Sequence, residues 1–339
     1  MNQLYSFDDV LIEPIFSNVR SRKDVDLTTD FLDLKLSLPV VNSNMDTVAS
    51  PALCKALAEY GTIGTLHRFW SIEENAQAFK DSVIGDFVRP IVSVGIGDYE
   101  FERAKALHAI GGNRIMLDVA HAANIAVVEM YNKLNKEFGD SAYYIVGDFG
   151  TGREIQEFLN RVDATPDAVK VGISVGSVCV TRLTTGVGTP AFSCLQDCVE
   201  TVDRYDTMKL VLDGGVHHIG DIAKAYAAGA DLIISGSFFA GTEESAGRIW
   251  NGADGKPEKK EYRGSASHES YVVQNKVASW RAPEGRATMI PYKGPVIDVL
   301  NKINGGLRSA CSYVNAFNLT ELRSNTTFHY TTEKINHGK

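Results

Sequence analysis

The chain has 339 residues, of which 44% are hydrophobic and 22% charged, a composition typical of a globular enzyme with a sizeable core. Its net charge of -8 argues against general binding to nucleic-acid phosphates. The N-terminus carries acidic residues where a secretory signal needs a basic end, and no apolar run is long enough to cross a bilayer. We therefore expect a cytoplasmic protein without nucleic-acid or membrane partners.

The five cysteines form an odd, scattered set and do not suggest a disulfide framework in a chain this long. Cys194 and Cys198 have the i, i+4 spacing of a helix, but no other cysteine or histidine follows at a zinc-site distance. We interpret these two as thiols on a packed helix face.

After a lead-in over residues 1–38, short and almost continuously apolar runs alternate with helical patterns eight times. Such runs are typical of strands buried on both faces, and the segments between them are long enough for crossover helices. Eight consecutive βα units predict a single (β/α)8 TIM barrel domain over residues 1–339. The predicted strands are 39–44, 62–67, 91–96, 114–119, 143–149, 168–173, 210–215 and 232–237.

Several predicted helices carry start and stop signals. Ser50 followed by Pro51 is a helix N-cap with proline in the first turn, and Gly61 is the matching stop. Ser71 and Glu74 have the spacing of a capping box. These signals support the alternation of strands and helices.

Residues 240–293, after the eighth strand, lack a clear strand pattern and are rich in glycine, serine and charge. A long polar insertion at this point of a barrel is typical of an active-site flap. Its candidate ligand residues lie in the segments 262–264 and 281–285.

Barrel enzymes carry their active site on the loops that follow the strand ends, and phosphate is often bound after the last two strands. Asp213, Gly214 and Gly215 follow the predicted seventh strand, and Gly236 and Ser237 follow the eighth. The backbone amides of these glycines can donate hydrogen bonds to a phosphate oxygen. The Asp213 carboxylate would repel phosphate, so it is better suited to accept hydrogen bonds from sugar hydroxyls. The pattern therefore predicts a nucleotide-binding site. For any one of these residues, the alternative is that it only helps to form the loop.

The segment 170–190, KVGISVGSVCVTRLTTGVGTP, places Cys179 in a glycine-containing loop after the sixth strand. A lone cysteine is usually a small buried hydrophobe, but this one faces the predicted nucleotide, where a thiolate is a strong nucleophile. Thr181 and Glu284 are candidates for proton transfer, although a threonine here could be simple loop polarity. We therefore predict a nucleophilic role for Cys179.

The stretch GSVCVTRLTTGVGTP resembles the cysteine loop of the IMP dehydrogenase / GMP reductase family, and the resemblance extends through SFDDVLIEP, NSNMDTV, LDVAHA, VLDGG, RAPEG, PYKGPV and GGLRSACSY. Within the family the chain is closer to the GMP reductases. Residues 67–91 leave no room for a regulatory CBS domain, residues 264–284 lack the Arg-Tyr pair of the dehydrogenases, and VRSRKDVDL at 19–27 resembles the reductase version.

The resemblance implies that Cys179 attacks C2 of GMP to form a thioimidate, that ammonia leaves with Thr181 and Glu284 managing protons, and that NADPH supplies hydride with help from Arg68. It also implies a homotetramer. The implied substrate-binding residues are Ser177, Asp213, Gly214, Gly215, Gly236, Ser237, Gly264, Ser265, Arg281, Glu284 and Gly285. The implied cofactor-binding residues are Ser21 and Arg22 from a neighbouring subunit, with Arg68, Asp118, Val119, Ala120, Ile173 and Ser174. Potassium would bind the backbone carbonyls of Ser174, Gly176 and Cys179.

Some positions depart from the family pattern. Ser174 stands where the family has glycine, so a positive φ there would be strained. Arg68 replaces a lysine, Asp148 replaces an asparagine and adds a charge near the base, and His121 with Ala122 replaces Asn-Gly. Two alternatives stay open. The sequence Tyr262-Arg263-Gly264 favours an IMP dehydrogenase without a regulatory domain, and the changes at Arg68, Asp148 and Ser174 favour a non-catalytic purine-nucleotide-binding paralogue. The substrate could also be a deoxy or base-modified guanine nucleotide.

Overall fold

The computed structural model describes residues 3–85 and 88–332. Its strands are β1 (Val10–Ile12), β2 (Thr29–Phe31), β3 (Leu34–Leu36), β4 (Val40–Asn42), β5 (Thr65–Leu66), β6 (Ile91–Val94), β7 (Arg114–Asp118), β8 (Tyr143–Phe149), β9 (Ala168–Val171), β10 (Lys209–Asp213), β11 (Leu232–Ser235), β12 (Ile249–Asn251), β13 (Pro257–Arg263), β14 (Ala287–Pro291) and β15 (Phe328–Tyr330). Its α-helices are α1 (Pro51–Tyr60), α2 (Ile72–Ser82), α3 (Asp98–His108), α4 (Ile125–Phe138), α5 (Gly152–Leu159), α6 (Thr181–Thr185), α7 (Ala191–Val202), α8 (Ile219–Ala227), α9 (His268–Val273), α10 (Val296–Tyr313) and α11 (Leu319–Asn325).

The eight predicted barrel strands form one parallel sheet in the order β4-β11-β10-β9-β8-β7-β6-β5. The two ends of this sheet meet through side chains. The Asn42 amide donates to the Thr65 carbonyl at 3.0 Å, and its oxygen accepts from the Thr65 amide at 2.9 Å. These bonds replace a strand ladder between β4 and β5, so the sheet closes and the predicted (β/α)8 barrel is confirmed.

The barrel interior is a packed core. Val41, Ile91, Met116 and Ile145 point inward from four strands and are buried completely or almost so. The β2–β3 hairpin adds Phe31 and Leu36 to the same cluster, so it closes one end of the barrel. A second cluster fills the space between the sheet and the helices. Chemistry is therefore confined to the loops at the other end.

The helix signals in the sequence are confirmed. The Ser50 hydroxyl accepts from the Leu53 amide at 3.0 Å and begins α1, and Gly61 ends it with a φ of 90°. Ser71 and Glu74 form the predicted capping box at the start of α2. Cys194 and Cys198 lie buried on α7, as their spacing indicated. Among the described helices, none is long and apolar enough to cross a membrane.

The expectation that strands are missing after the eighth barrel strand is wrong. The predicted flap contains an antiparallel sheet of β12, β13 and β14, with α9 between the last two strands. Strand β13 reads PEKKEYR, and its Lys260 is buried with Nζ donating to the carbonyls of Thr242 and Ser245 at 3.0 and 2.5 Å. The strand is difficult to recognise in the sequence because its charged residues suggest an exposed loop, although Lys260 is buried and has a structural role.

Candidate active site

A cavity of about 620 Å³ opens where the strands of the barrel end, beneath the flap. It brings together the predicted residues Arg68, Asp118, Val119, Ala120, Ile173, Ser174, Gly176, Ser177, Cys179, Thr181, Asp213, Gly236, Ser237, Gly264, Ser265, Arg281, Glu284 and Gly285. Gly214, Gly215, Ser21 and Arg22 do not line it. Residues predicted from strand ends and residues implied by the family resemblance thus lie along one continuous wall.

The two glycines outside the cavity support it from behind. The Gly214 amide donates to the Ile234 carbonyl at 3.0 Å, so it is not free for a phosphate. A side chain on Gly214 would come within 3.3 Å of the Gly176 backbone, and one on Gly215 within 2.5 Å of Ala191. Both residues have positive φ. Their structural role is to let the cysteine loop pack closely on the β10 loop.

Backbone hydrogen bonds join the cysteine loop to the flap. The Val180 amide donates to the Glu284 carbonyl at 2.8 Å, and the Arg286 amide donates to the Val178 carbonyl at 2.9 Å. Cys179 and Gly285 face each other in an antiparallel bridge between these bonds. The flap therefore brings Glu284 next to the cysteine through main-chain contacts.

Cys179 differs from the other cysteines in its exposure. All five cysteines are reduced, and four are buried, whereas Cys179 is half-buried at the cavity wall. Burial raises the pKa of the Cys54 thiol to about 12, which makes that thiol inert. The Cys179 sulfur lies 3.1 Å from the Thr181 hydroxyl oxygen. Cys179 is thus the cysteine with both access to a ligand and a neighbouring group for proton exchange.

Ser174 adopts the positive φ that the glycine of the family predicted for this position, with a value of 65°. Its hydroxyl accepts from the Arg182 amide at 2.8 Å, and its carbonyl accepts from the Arg182 guanidinium at 2.6 Å. Ser174 thus has a left-handed backbone conformation that glycine would adopt freely. The backbone amide and the guanidinium of Arg182 both stabilise it.

These contacts bear on the predicted potassium site. The Ser174 carbonyl already holds a guanidinium, and the Gly176 carbonyl accepts from the Cys179 amide at 3.0 Å. Two unit charges about 4 Å apart repel by about 4 kcal/mol at the effective dielectric near a protein surface. The residues present therefore do not fit a potassium ion on these carbonyls.

Hydroxyl groups line the cavity around Gly236. The buried Tyr262 hydroxyl lies 3.2 Å from that of Ser177, and within the described residues the buried Ser43 hydroxyl has no hydrogen-bond partner. A side chain on Gly236 would meet Tyr262 at 2.4 Å and Ser43 at 3.1 Å. Tyr262 belongs to the flap segment 262–264 that the sequence offered as candidate ligand residues, whereas Ser43 was not predicted as a site residue although it lies in the motif NSNMDTV.

A cluster of charged groups forms the cavity floor. Lys170 Nζ donates to Asp148 Oδ1 at 2.5 Å and to Asp213 Oδ2 at 2.6 Å, and only 1% of the lysine side chain is exposed. Arg68 Nε lies 3.3 Å from Asp118 Oδ2. Sequence reasoning missed Lys170, although a lysine inside the apolar strand AVKV was a visible signal.

Electrostatics changes the interpretation of Asp148. The pKa of Asp148 is raised to about 8, chiefly by burial and also by the carboxylates of Asp213 and Asp118, which together outweigh the opposing effect of Lys170. Burial alone lowers the pKa of Lys170, but the surrounding carboxylates outweigh burial and raise it. Burial and the neighbouring carboxylates thus disfavour the negative charge that the sequence predicted at Asp148.

The flap supplies cations and aromatic rings to the rim. The Arg281 guanidinium lies 5.3 Å from the ring centre of Tyr271 and 4.9 Å from that of Trp280. Lys276 lines the same rim, and burial together with the charge of Arg68 lowers its pKa. A rim of this composition attracts anionic ligands.

Arg263 is turned away from the cavity. It binds the Asp46 carboxylate at 2.7 Å and the Glu261 carboxylate at 2.9 Å, and so anchors β13 to the loop after β4. Ser21 and Arg22 lie elsewhere in the chain, where Ser21 caps a short 3-10 helix over Arg22–Asp24. A single chain does not bring these two residues to the cavity.

The fold and the site together define a (β/α)8 barrel enzyme with an accessible cysteine under a flap. The model of the IMP dehydrogenase / GMP reductase domain matches residues 4–337. A GMP reductase of Aliivibrio salmonicida is 36% identical over 330 residues, which are 95% of this chain and 93% of the relative. A GMP reductase of Vibrio atlanticus is also 36% identical with the same coverage.

A solved structure has the same fold. It is a cysteine-to-alanine variant of GMP reductase from Trypanosoma brucei in complex with guanosine 5'-monophosphate, with a TM-score of 0.88, 24% identity and coverage of 98% of this chain and 96% of that one.

Because the family model covers almost the whole chain and the relatives are 36% identical, the chain belongs to the IMP dehydrogenase / GMP reductase family. It is a GMP reductase-like oxidoreductase.

Proposed function

We propose that the protein catalyses NADPH-dependent reductive deamination of GMP, or of a closely related guanine nucleotide, to IMP and ammonia. The observation that carries the proposal is the accessible Cys179 sulfur 3.1 Å from the Thr181 hydroxyl, with Glu284 held beside it by the flap. Relatives at 36% identity over almost the whole chain are GMP reductases, which supports the same choice.

The first chemical step is addition of the Cys179 thiolate to purine C2, followed by loss of the amino group. A covalent intermediate divides a difficult substitution into two easier steps. The product is a thioimidate between Cys179 and the base. Thr181 and Glu284 exchange protons with the thiol and the base, because both line the cavity next to the sulfur.

The nucleotide would lie along the wall from Ser177 to Ser237. Asp213, fixed by Lys170, is suited to accept from ribose hydroxyls. The unpartnered Ser43 hydroxyl and the Tyr262 hydroxyl, which is paired with Ser177, are suited to phosphate oxygens. The flap segment around Gly264 and Gly285 would cover the base. Here only backbone fits, since a side chain on Gly285 would approach the Ser267 amide to 2.9 Å.

The cofactor would bind near Asp118, Val119 and Ala120, where the wall is open and Arg68 orients the aspartate. Cationic Lys276 at the rim fits a phosphate of a dinucleotide. NADPH bound at this wall would supply a hydride to purine C2. Arg68 keeps positive charge beside this region but, unlike the family lysine, cannot lose a proton.

The reductase is favoured over an IMP dehydrogenase by the position of Arg263. The dehydrogenase alternative rested on the sequence Tyr262-Arg263-Gly264, but Arg263 is bound to Asp46 and Glu261 and does not line the cavity. An arginine engaged in this way is not placed to activate water on a covalent intermediate.

We further propose that the working form is a cytoplasmic homotetramer in which Ser21 and Arg22 of one subunit complete the cofactor site of the next. Both residues are exposed and distant from the cavity of their own chain. Sedimentation velocity tests the assembly. Ser21→Ala and Arg22→Ala are expected to raise the KM for NADPH while leaving the KM for GMP unchanged.

The test of the function is a panel of purine mononucleotides with NADPH and with NADH, followed by NADPH absorbance and by chromatography of the product. GMP with NADPH is expected to yield IMP and ammonia. Oxidation with another guanine nucleotide but not with GMP would keep the reaction class and change the substrate. NAD reduction with IMP would support the dehydrogenase, and no Cys179-dependent turnover at all would support the non-catalytic alternative.

A further inference from the structure

The Arg68 side chain crosses the end of a barrel strand to reach its carboxylate partner. Arg68 follows β5 and Asp118 ends β7, while β6 lies between these two strands in the sheet. Arg68 Nε nevertheless lies 3.3 Å from Asp118 Oδ2. The guanidinium therefore passes over the residue that directly follows β6, which is Gly95.

Gly95 leaves the space that the guanidinium occupies. A Cβ atom at this position would lie 3.1 Å from both Cζ and Nη1 of Arg68 and 3.2 Å from Cγ of Glu100. Gly95 is not one of the glycines with positive φ, so no left-handed backbone conformation requires it. What requires glycine here is the close approach of the Arg68 side chain.

The backbone of Gly95 is held in place from the other side. Its amide donates to Glu100 Oε2 at 2.7 Å, and Arg103 Nε donates to the same oxygen at 3.3 Å. Arg103 is buried, and its Nη1 also donates to Asn75 Oδ1 at 2.8 Å. Moving the strand end would disturb this buried network, whereas Arg68 lies at the cavity with 18% of its side chain exposed. A side chain at position 95 would therefore displace the guanidinium.

We propose that Gly95 is a positioning residue, which makes the room that an arginine at position 68 needs in order to act beside Asp118. This inference rests on the proposed function. Arg68 and Asp118 line the cavity and Gly95 does not, so Gly95 acts on the reaction through Arg68. A lysine has no counterpart of the Nη1 atom that meets position 95, so the glycine matches the arginine in particular.

The placement of the guanidinium determines the charge at the cofactor wall. Burial alone would raise the pKa of Asp118, but this pKa is lowered, chiefly by the charges of Arg68 and Lys170. The proposed cofactor site lies beside this ion pair. Displacing the guanidinium should therefore affect NADPH and hydride transfer, while the wall proposed for GMP keeps its contacts.

The first variant is Gly95→Ala. A misplacement of about 1 Å in an active site can cost about 100-fold, so the smaller shift expected here should lower kcat/KM for NADPH about tenfold. The KM for GMP should not change. Gly95→Val, with a larger side chain, should cost more. Gly220→Ala on α8 is the matched control and should behave as the wild type, because nothing lies within 4 Å of the added methyl group.

The deciding comparison repeats Gly95→Ala in the Arg68→Lys background. There the same substitution should lower kcat/KM for NADPH by less than about twofold, because the lysine does not occupy the space beside position 95. An equal loss in both backgrounds would mean that the methyl group acts through Glu100 or the backbone, and would overturn the proposal. A Gly95→Ala enzyme with the kinetic constants of the wild type would overturn it as well.

Urea denaturation of the same proteins gives a measurement that does not depend on turnover. Gly95→Ala should lower the midpoint more in the wild-type background than in the Arg68→Lys background. If the wild type does not convert GMP but this difference is found, the proposed function fails and the fit between Gly95 and Arg68 stands. If the midpoint falls equally in both backgrounds, Gly95 does not make room for the guanidinium, and the proposal fails whether or not the protein is active.

Discussion

The two halves of the cavity are held together by different forces. The half with Cys179 is joined to the flap by main-chain hydrogen bonds, such as that from the Val180 amide to the Glu284 carbonyl. The floor is held by side-chain ions, with Lys170 between Asp148 and Asp213. Main-chain bonds tolerate many side chains, whereas an ionic cluster depends on each member. Substitutions in the first half should therefore affect chemistry, and those in the second should affect stability as well.

The largest expected effect is the loss of turnover in Cys179→Ala. Without the sulfur there is no covalent intermediate, so GMP-dependent oxidation of NADPH should fall by at least about 10⁴-fold. Thermal unfolding should stay within a few degrees of the wild type, because the main-chain bonds of this loop remain.

The control for Cys179→Ala is Cys311→Ala, which removes a buried thiol on α10 far from the reacting atoms. It should cost stability and leave kcat nearly unchanged. Substantial turnover in Cys179→Ala would contradict the nucleophilic role and with it the comparison between the two halves.

The second prediction concerns the floor. Lys170→Met removes the ammonium that binds two carboxylates, and breaking a buried pair in this way typically costs about 3–5 kcal/mol of unfolding free energy. Urea denaturation measures the loss. The loss should be smaller in the double variant Lys170→Met with Asp148→Asn, because one of the two carboxyl groups left without the ammonium is then an uncharged amide. An equal loss in the single and the double variant would mean that packing, and not charge, stabilises the floor.

The sequence predicted the barrel well because its strands are apolar on both faces and its turns carry glycine and capping residues, as at Ser50 and Gly61. It predicted the flap less well, since Lys260 gives β13 a charged sequence although the residue is buried. The residues of the site followed from strand ends and motifs, but the contacts of Lys170, Arg182 and Arg263 did not. The sequence does not show which polar groups will meet, because that depends on how the strands and loops are arranged in the folded chain.

The third prediction tests the cation at the cysteine loop. Because the Arg182 guanidinium binds the Ser174 carbonyl, replacing potassium chloride by choline chloride at equal ionic strength should change kcat less than about twofold. Arg182→Ala frees the carbonyl and removes the positive charge. In that variant potassium should raise both kcat and the melting temperature, with sodium as the comparison. A wild type that loses most of its activity in choline would show that potassium binds despite the guanidinium.

The smallest effect should come from Ser174, where two contributions oppose each other. Ser174→Gly relieves a φ of 65°, which is worth about 1 kcal/mol, but removes the hydroxyl that accepts from the Arg182 amide, which is worth about the same. The net change in unfolding free energy should therefore be close to zero. Ser174→Ala loses the same hydrogen bond and keeps the strain, so it should be less stable than Ser174→Gly by about 1 kcal/mol. Equal stability of the two variants would show that the left-handed backbone is not strained at this position, and the cysteine loop would then accept serine without the support of Arg182.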